Sequence, residues 1–474
     1  MHQPLALKNI ILVSGDLLVF AAALATSLLM RYGIPEPTII KLYLFAAPFL
    51  MALWFGGLAA FGLYDLKIAK NEPPFFERLA RAMAFNFVVT VLLFYLIPEF
   101  RLRPLATLII IFFTLTVFLF GWRKIYNTLL AQISKERVLF WGFTPEVLEL
   151  TAFLMVNPQL GFIPAFFLEN NNRASQAAQP PLPAGVPVFS GELGGIIREK
   201  RIGRIVVAHE ARRAPTLAKA LFGVVPLGVG IVDLRRFYEN VTGKVPVSLI
   251  TETWFLENLV GMHRPRYEFA KRILDLMLAT ILAVVALSLL PFIALGIILS
   301  TPLDIFNYKK RRAREGDGII FFRQARVGKN GRIFNFLKFR SQVLGAEKMG
   351  YEKSSVGPDP RSYRVGEFLR KTYLDELPQL WNVILGEMSF AGPRPERPEF
   401  VRALERKIPF YRMRELVLPG ITGWAQINME NDASVADAPT KIQYDLYYIK
   451  NRSLFLDLTI LLKTTLKLLQ RSGR

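Results

Sequence analysis

The stretch KRILDLMLATILAVVALSLLPFIALGIILSTPLDI, Lys271 to Ile305, decides how the rest of the chain is read. It is apolar enough to enter a bilayer, yet basic residues stand on both sides of it: Arg264, Arg266, Lys271 and Arg272 before, and Lys309, Lys310, Arg311, Arg312 and Arg314 after. Lys and Arg collect on the cytoplasmic side of membranes, so a simple spanning helix would carry one of these clusters to the wrong side. Both ends want the same side, and the expected form is a re-entrant membrane helix hairpin over residues 273–305. Pro291, which lacks an N–H and clashes with the preceding turn, stands where that chain would break. A kinked spanning helix is the alternative.

The whole 474-residue chain shares this character, with 52% hydrophobic residues and a formal charge of +21. That is too apolar for an ordinary soluble protein and long enough for two or more domains. Because the cations border apolar runs, they point to lipid headgroups and membrane topology and away from nucleic acid. Cysteine is absent and the histidines are His2, His209 and His263, so no thiol nucleophile, disulfide or Cys/His zinc site can be built. Catalysis would fall to carboxylates, hydroxyls and amines.

Towards the N-terminus lie four apolar segments, roughly 10–30, 42–63, 82–98 and 105–121, each near the ~20 residues a spanning helix needs. They predict a four-helix transmembrane domain over residues 1–128. The first run has no small-residue cleavage pattern and reads as an anchor. The second connector carries Lys67, Lys70, Arg78 and Arg81 and the exit carries Arg123 and Lys124, against Arg31, Lys41, Arg101 and Arg103 in the other connectors. This bias puts both ends of the bundle in the cytoplasm. Asp16, inside the first segment, is either functional or a packed interfacial group.

Residues 135–250 alternate short apolar runs with helical stretches, the pattern of a small Rossmann-like α/β domain. Its first strand ends in Gly142-Phe143-Thr144-Pro145-Glu146, a turn with one glycine and a bulky Phe where a dinucleotide site needs close backbone approach. A degenerate, regulatory or packing module is expected there, with a polar loop at 170–187.

Beyond Glu315 no further spanning run occurs, which describes a compact domain on the membrane surface, and the last segment, 453–469, has leucines at helical spacing, suiting either an interfacial helix or a packed one. Within this domain stands Leu369-Arg370-Lys371-Thr372-Tyr373-Leu374-Asp375-Glu376-Leu377-Pro378-Gln379-Leu380, followed by Gly392-Pro393-Arg394-Pro395. Thr372-x-x-Asp375 fits a capping box, which would leave Asp375 only to start a helix. Its company changes the weighting: Lys338, Arg340, Arg370, Lys371 and a proline-flanked Arg394 are the cations a diphosphate requires. An ionised Asp375 can attack phosphorus to form an acyl phosphate, while its neighbour Glu376 holds a divalent ion. Arg323 to Gly331 reads as a hairpin with a type I′ turn at Asn330-Gly331.

From about Lys271 onward the sequence resembles the bacterial polyprenyl-phosphate sugar-1-phosphate transferases, the monotopic phosphoglycosyl transferase superfamily. The residues that carry the resemblance are Lys271-Arg272-x-x-Asp275, Arg323-Gln324 with Val327-Gly328, Lys338-Phe339-Arg340, Leu369 to Leu380, Gly392 to Pro395, Pro419-Gly420-Ile421-Thr422-Gly423-Trp424-Ala425-Gln426, and Asp445-Leu446-Tyr447-Tyr448. The four helices and α/β module in front are similar to the long members of that superfamily. The resemblance implies a membrane α plus α/β protein whose residues 265–474 form a mainly helical catalytic domain on the cytoplasmic face of the bacterial inner membrane. It further implies a UDP-sugar donor, an undecaprenyl phosphate acceptor, Mg²⁺ on Glu376, phosphate contacts from Lys338, Arg340, Arg370 and Arg394, and Asp457, Asp445 or Gln426 as further polar site residues. A homodimer follows by the same likeness. Two positions depart from the common pattern: Leu290 precedes Pro291 where many relatives have Ser, and Met429-Glu430-Asn431 stands where many have a basic residue.

Two other readings remain open. Tyr267-x-x-x-Lys271 has the spacing of a membrane-anchored nucleotide-sugar dehydratase, and a non-catalytic membrane scaffold would use the cations only for lipid.

Overall fold

A computed structural model describes residues 3–96, 105–132, 135–168, 185–208, 215–259, 264–301, 318–346, 361–429 and 437–470. The chain divides into two compact units, Met1–Thr242 and Gly243–Arg474.

The first unit opens with helices α1 (Gln3–Tyr32), α2 (Pro37–Ala60), α3 (Pro73–Leu96) and α4 (Leu105–Gln132). Leu7–Tyr32, Pro37–Ala60 and Thr107–Leu129 are long and apolar enough to cross a membrane. Helix α3 is not among such spans: Glu77, Arg78 and Arg81 fill its early turns, and residues 97–98 of the expected segment lie outside the described residues. Asp16 is a packing group. Its Oδ2 meets Arg123 Nη2 at 2.5 Å with both side chains at most 1% exposed, and Arg123 also donates to Leu63 O at 2.6 Å. A buried pair tying α1 to α4 satisfies two charges that hydrocarbon would otherwise penalise.

Strands β1 (Glu136–Trp141), β2 (Phe162–Leu168), β3 (Val188–Ser190), β4 (Ile202–Val207) and β5 (Gly230–Asp233) form one parallel sheet in the order β3-β2-β1-β4-β5. Between them run α5 (Pro145–Val156), α6 (Leu193–Lys200) and α7 (Pro215–Val224), and α8 (Leu234–Thr242) follows β5. Buried Leu139, Trp141, Ala165, Phe167, Ile205 and Val207 show why the strands read as apolar runs, since crossover helices cover a parallel sheet. Gly142 takes φ 104°, and Phe143 stacks on Phe166 with centroids 5.0 Å apart. Most of the polar loop at 170–187 lies outside the described residues.

The second unit begins with residues that the sequence reading assigns to the α/β domain. Val245, Val247 and Ile250, with Trp254 of α9 (Glu252–Leu259), join one core with Ile442, Leu446, Tyr448, Ile449 and Ile460. Helix α10 (Pro265–Ser300) is one helix with Pro291 inside, and it too is long and apolar enough to cross a membrane. The basic residues 309–314 and the end of the apolar stretch lie outside the described residues. Both ends of α10 are held by the same unit. At the start Arg272 donates to Val383 O and Ile384 O at 2.6 and 2.8 Å, and Asp275 accepts from Phe390 N. At the end Ile293 and Ile297 pack on Phe339 and Leu369, and Thr301 Oγ1 accepts from Arg340 Nη2 at 2.6 Å. Between these anchors Ile281, Val284, Val285 and Leu287 are exposed.

The rest of the unit is β6 (Phe321–Val327), β7 (Ile333–Phe339), α11 (Arg364–Lys371), α12 (Gln379–Leu385), β8 (Ser389–Ala391), α13 (Pro398–Glu405), β9 (Gly420–Thr422), α14 (Trp424–Asn428), α15 (Ala438–Asn451) and α16 (Leu454–Gln470). β6 and β7 make the expected hairpin, turning at Asn330 and Gly331 with φ 56° and 75°. Helix α16 answers both readings of its sequence: Asp457 and Ile460 are buried, while Phe455, Leu458 and Leu462 are exposed.

Candidate active site

Three segments bring the charged residues together. Strand β7 buries Phe334 and Phe336, and Lys338 follows on the same face with its Nζ 5.5 Å from the Phe336 ring. Helix α11 lies close because Gly366 has no side chain; a Cβ there would stand 2.0 Å from Ser341 O. The helix ends in Thr372, and Tyr373 adopts φ 57°, a left-handed conformation costly for a residue with a Cβ. That reversal starts a 3-10 turn, Leu374–Glu376, anchored by Leu374 and Leu377 in the core. Thr372 Oγ1 donates back to Phe368 O at 2.8 Å, so the capping-box alternative is not realised. The third segment follows β8 and carries Arg394 between its prolines.

Lys338 Nζ is 2.7 Å from Glu376 Oε1 and 3.7 Å from Asp375 Oδ2, and Arg394 Nη2 reaches the same Glu376 oxygen at 3.3 Å. Asp375 is only 5% exposed, whereas the Lys338 and Arg394 side chains are 22% and 32% exposed. The two acids therefore differ. Burial pushes the Asp375 carboxyl up; Lys338 opposes the shift and Glu376 adds to it. Burial acts on Glu376 as well, but the charges and hydrogen bonds of Lys338 and Arg394 outweigh it and hold the carboxyl at about 2. One acid is thus a firmly ionised partner of two cations. The other is a buried carboxylate with less stabilisation of its charge, which favours reaction with an electrophile.

The remaining sequence candidates sort by their partners. Arg370 donates to Ser362 Oγ at 2.8 Å and its charge acts on Asp375, so it belongs to the margin of the cluster. Arg340 is 3% exposed and committed to Ile319 O and Thr301 Oγ1, and its carbonyl accepts from Tyr363 Oη; it fastens the end of α10 instead of lining the site. Asp457 accepts from Tyr448 Oη at 2.7 Å and Tyr267 Oη at 2.8 Å and pairs with Lys271 at 3.1 Å, which stitches α16 to α10. Asp445 pairs with Arg414 at 2.9 Å, and Gln426 Nε2 donates to Ile421 O at 3.4 Å. Arg414, Glu396 and Lys441 are absent from the sequence reading. Glu396 adjoins the proline-flanked arginine, but nothing in the local sequence marks the other two.

Among the described residues no group of three or more His, Cys, Asp or Glu side chains could hold a metal ion. Asp375 and Glu376 still offer adjacent hard oxygen donors, and Mg²⁺ is commonly bound by one or two carboxylates completed by water and substrate phosphates. The donor set fits that ion and would suit a thiophilic metal poorly.

Residues 266–471 match the bacterial sugar transferase family. The chain is 38% identical over 247 residues to a UDP-N-acetylgalactosamine-undecaprenyl-phosphate N-acetylgalactosaminephosphotransferase of Aeromonas hydrophila, which covers 52% of this chain and 53% of that protein. It is 30% identical over 362 residues to a UDP-glucose:undecaprenyl-phosphate glucose-1-phosphate transferase of Xanthomonas campestris pv. campestris, covering 73% and 69% of the two chains. A protein of the same name from Escherichia coli K12 is 37% identical over 304 residues, 60% of each chain. The chain thus spans between about half and two thirds of the length of these relatives. The second match extends well beyond the residues that form the carboxylate cluster, and with the fold and the cluster it shows that this chain belongs to the bacterial sugar transferase family.

Proposed function

We propose that the protein transfers a sugar 1-phosphate from a UDP-sugar to undecaprenyl phosphate, releasing UMP and starting a surface polysaccharide. The observation that carries this reading is the pairing of buried Asp375 with ionised Glu376 under Lys338 and Arg394. Asp375 attacks the sugar-bearing phosphorus; the bond from that phosphorus to the bridging oxygen breaks, and UMP leaves with the oxygen. An aspartyl phosphosugar results. A phosphate oxygen of undecaprenyl phosphate then attacks the same phosphorus, and the bond to Asp375 breaks to restore the carboxylate. The product is undecaprenyl-diphospho-sugar, and no net proton change is left on the enzyme. Lys338 and Arg394 bind the charge that develops on the phosphoryl oxygens, and Arg370 adds a third cation nearby. Mg²⁺ held by Glu376 with Asp375 would supply further neutralisation of the diphosphate.

The same reading makes α10 a re-entrant helix at the bacterial inner membrane, with the catalytic unit on the cytoplasmic face. In its support, a straight helix from Arg272 to Thr301 would extend about 44 Å, yet the residues at those two points bind one compact unit. Pro291 between those anchors removes a backbone hydrogen bond at the apolar middle. The exposed apolar residues of α10 and α16 suit a site at headgroup depth, where a soluble nucleotide and a lipid phosphate can both arrive. The homodimer belongs to this proposal and is checked by the mass of the detergent-solubilised protein.

UMP release from a panel of UDP-sugars, with undecaprenyl phosphate and Mg²⁺ in detergent, tests the reading. UMP should appear for at least one sugar, and mass spectrometry without acceptor should find a phosphosugar on Asp375. No UMP from any sugar, or equal turnover by Asp375→Asn, overturns it.

A further inference from the structure

Arg394 sits in a loop that is difficult to anchor. Pro393 and Pro395 have no N–H to donate, so the loop must be held largely through its carbonyls. Each of them has a partner. Gly420 N donates to Pro393 O at 2.9 Å, Arg414 Nη2 to Arg394 O at 2.8 Å, Arg326 Nη1 to Pro395 O at 3.1 Å, and Val327 N to Glu396 O at 2.9 Å. The Gly420 contact requires a bare backbone: a Cβ on Gly420 would stand 2.2 Å from Gly392 N.

Arg414 makes the contact closest to the functional guanidinium, and it is itself fixed from several directions. It is 5% exposed in the 3-10 helix Tyr411–Leu416, with Nη2 at 2.9 Å from Asp445, Nη1 at 2.6 Å from Tyr411 Oη, and Nη1 at 3.7 Å from Glu396. Lys441 grips the same Glu396 oxygen at 2.6 Å. These side chains come from the hairpin, the loop itself, the 3-10 helix and α15, so the loop is the meeting point of four parts of the unit. A guanidinium presents several donors in a fixed plane, which lets Arg414 hold a carboxylate and a carbonyl together.

We propose that Arg414, oriented by Asp445, is a positioning residue that sets Arg394 against Glu376 and thus against the substrate diphosphate. The proposal rests on the reading of Arg394 as a phosphate-binding residue. It assigns Asp445 a role two contacts removed from the substrate. A displacement of about 1 Å at a substrate-binding group can cost on the order of a hundredfold in rate, so the effect should pass through Arg394.

A double-mutant cycle reads this directly. Arg414→Lys keeps the charge but loses the fork, and Arg394→Ala removes the group said to be positioned. With kcat/KM for UMP release as readout, Arg414→Lys should lower the parental value by about 10- to 100-fold and the Arg394→Ala enzyme by less than about threefold, because residues acting as a unit are not additive. Thermal unfolding in detergent accompanies each variant. If Arg414→Lys does not fold, Asp445→Asn takes its place in the cycle under the same criteria. Losses that multiply, or an Arg414→Lys enzyme within about threefold of the parent, overturn the inference while leaving the proposed reaction intact. A parent that releases no UMP removes the reaction and the inference together.

Discussion

Two ionic clusters meet at the loop of Arg394, and they are finished to different degrees. In the first, Lys441 pairs with Glu396 at 2.6 Å and Arg414 with Asp445 at 2.9 Å, and three of these four residues are nearly sealed from solvent. Around Glu376, two cations converge on one carboxylate oxygen and keep part of their surface in water. The first arrangement is charge matched with charge, which fixes a shape. The second leaves its cations reachable, which suits an incoming anion. Burial of the cations, rather than residue type, separates the two, since each is built from the same Lys, Arg, Asp and Glu.

The most severe way to test the open cluster is Asp375→Asn. It preserves shape and removes the proposed nucleophile, so UMP release should fall by on the order of a thousandfold or more. Residual turnover near the parental rate would make the cluster an anion site without covalent chemistry. Next comes a matched pair of lysines. Lys338→Met should reduce kcat/KM by about a hundredfold, as loss of one charged transition-state contact does. Lys441→Met deletes a cation whose side chain is 8% exposed, against 22% for Lys338, and breaking such a buried pair costs up to about 3–5 kcal/mol. Its melting temperature should therefore drop further than that of Lys338→Met. The reverse order of melting temperatures would dissolve the distinction between the two clusters.

A smaller effect concerns pH. The Asp375 carboxyl lies above its ordinary 3.8, so kcat/KM should decline with acidification through that raised value, while Glu376, at about 2, stays ionised. Lys338 pulls the Asp375 value down and Glu376 pushes it up. Removing each partner moves the acid limb in a known direction: upward in Lys338→Met and downward in Glu376→Gln. The stability signs differ as well. Glu376 titrates lower folded than its ordinary 4.5, so its contribution is complete above that pH and disappears as pH falls towards 2. An acid limb that does not move in either variant would detach it from Asp375.

Much of this was legible in the chain because it depends on local pattern. The apolar lengths marked helices α1, α2, α4 and α10, strand alternation marked the α/β module, and Asn330-Gly331 marked the hairpin turn. That Asp375 and Glu376 meet Lys338 and Arg394 was also legible, because acids and cations in that number suit a diphosphate. What was not legible is which cation meets which anion. Arg340 lies two residues from Lys338, yet it turns to Thr301 while Lys338 turns to Glu376. Strand alternation cannot separate them, because the choice is made by where α10 ends. The left-handed Tyr373 was hidden for a similar reason: only the packing of Leu374 and Leu377 imposes that turn.

The smallest predicted effect addresses the dehydratase spacing of Tyr267 and Lys271. Both side chains converge on Asp457 Oδ2, at 2.8 and 3.1 Å, in a third cluster that is closed like the one around Glu396. Such a pair fastens α10 to α16 and is already engaged by a buried carboxylate. Tyr267→Phe should therefore leave UMP release within about threefold of the parent while lowering stability by about 1.5–3 kcal/mol, the loss of one hydrogen bond to a charged group. A hundredfold loss of activity at unchanged stability would place Tyr267 in the chemistry and show that a sealed cluster can still react. That outcome would break the rule drawn from burial, because enclosure would then no longer tell the structural ions of this unit from those that meet substrate.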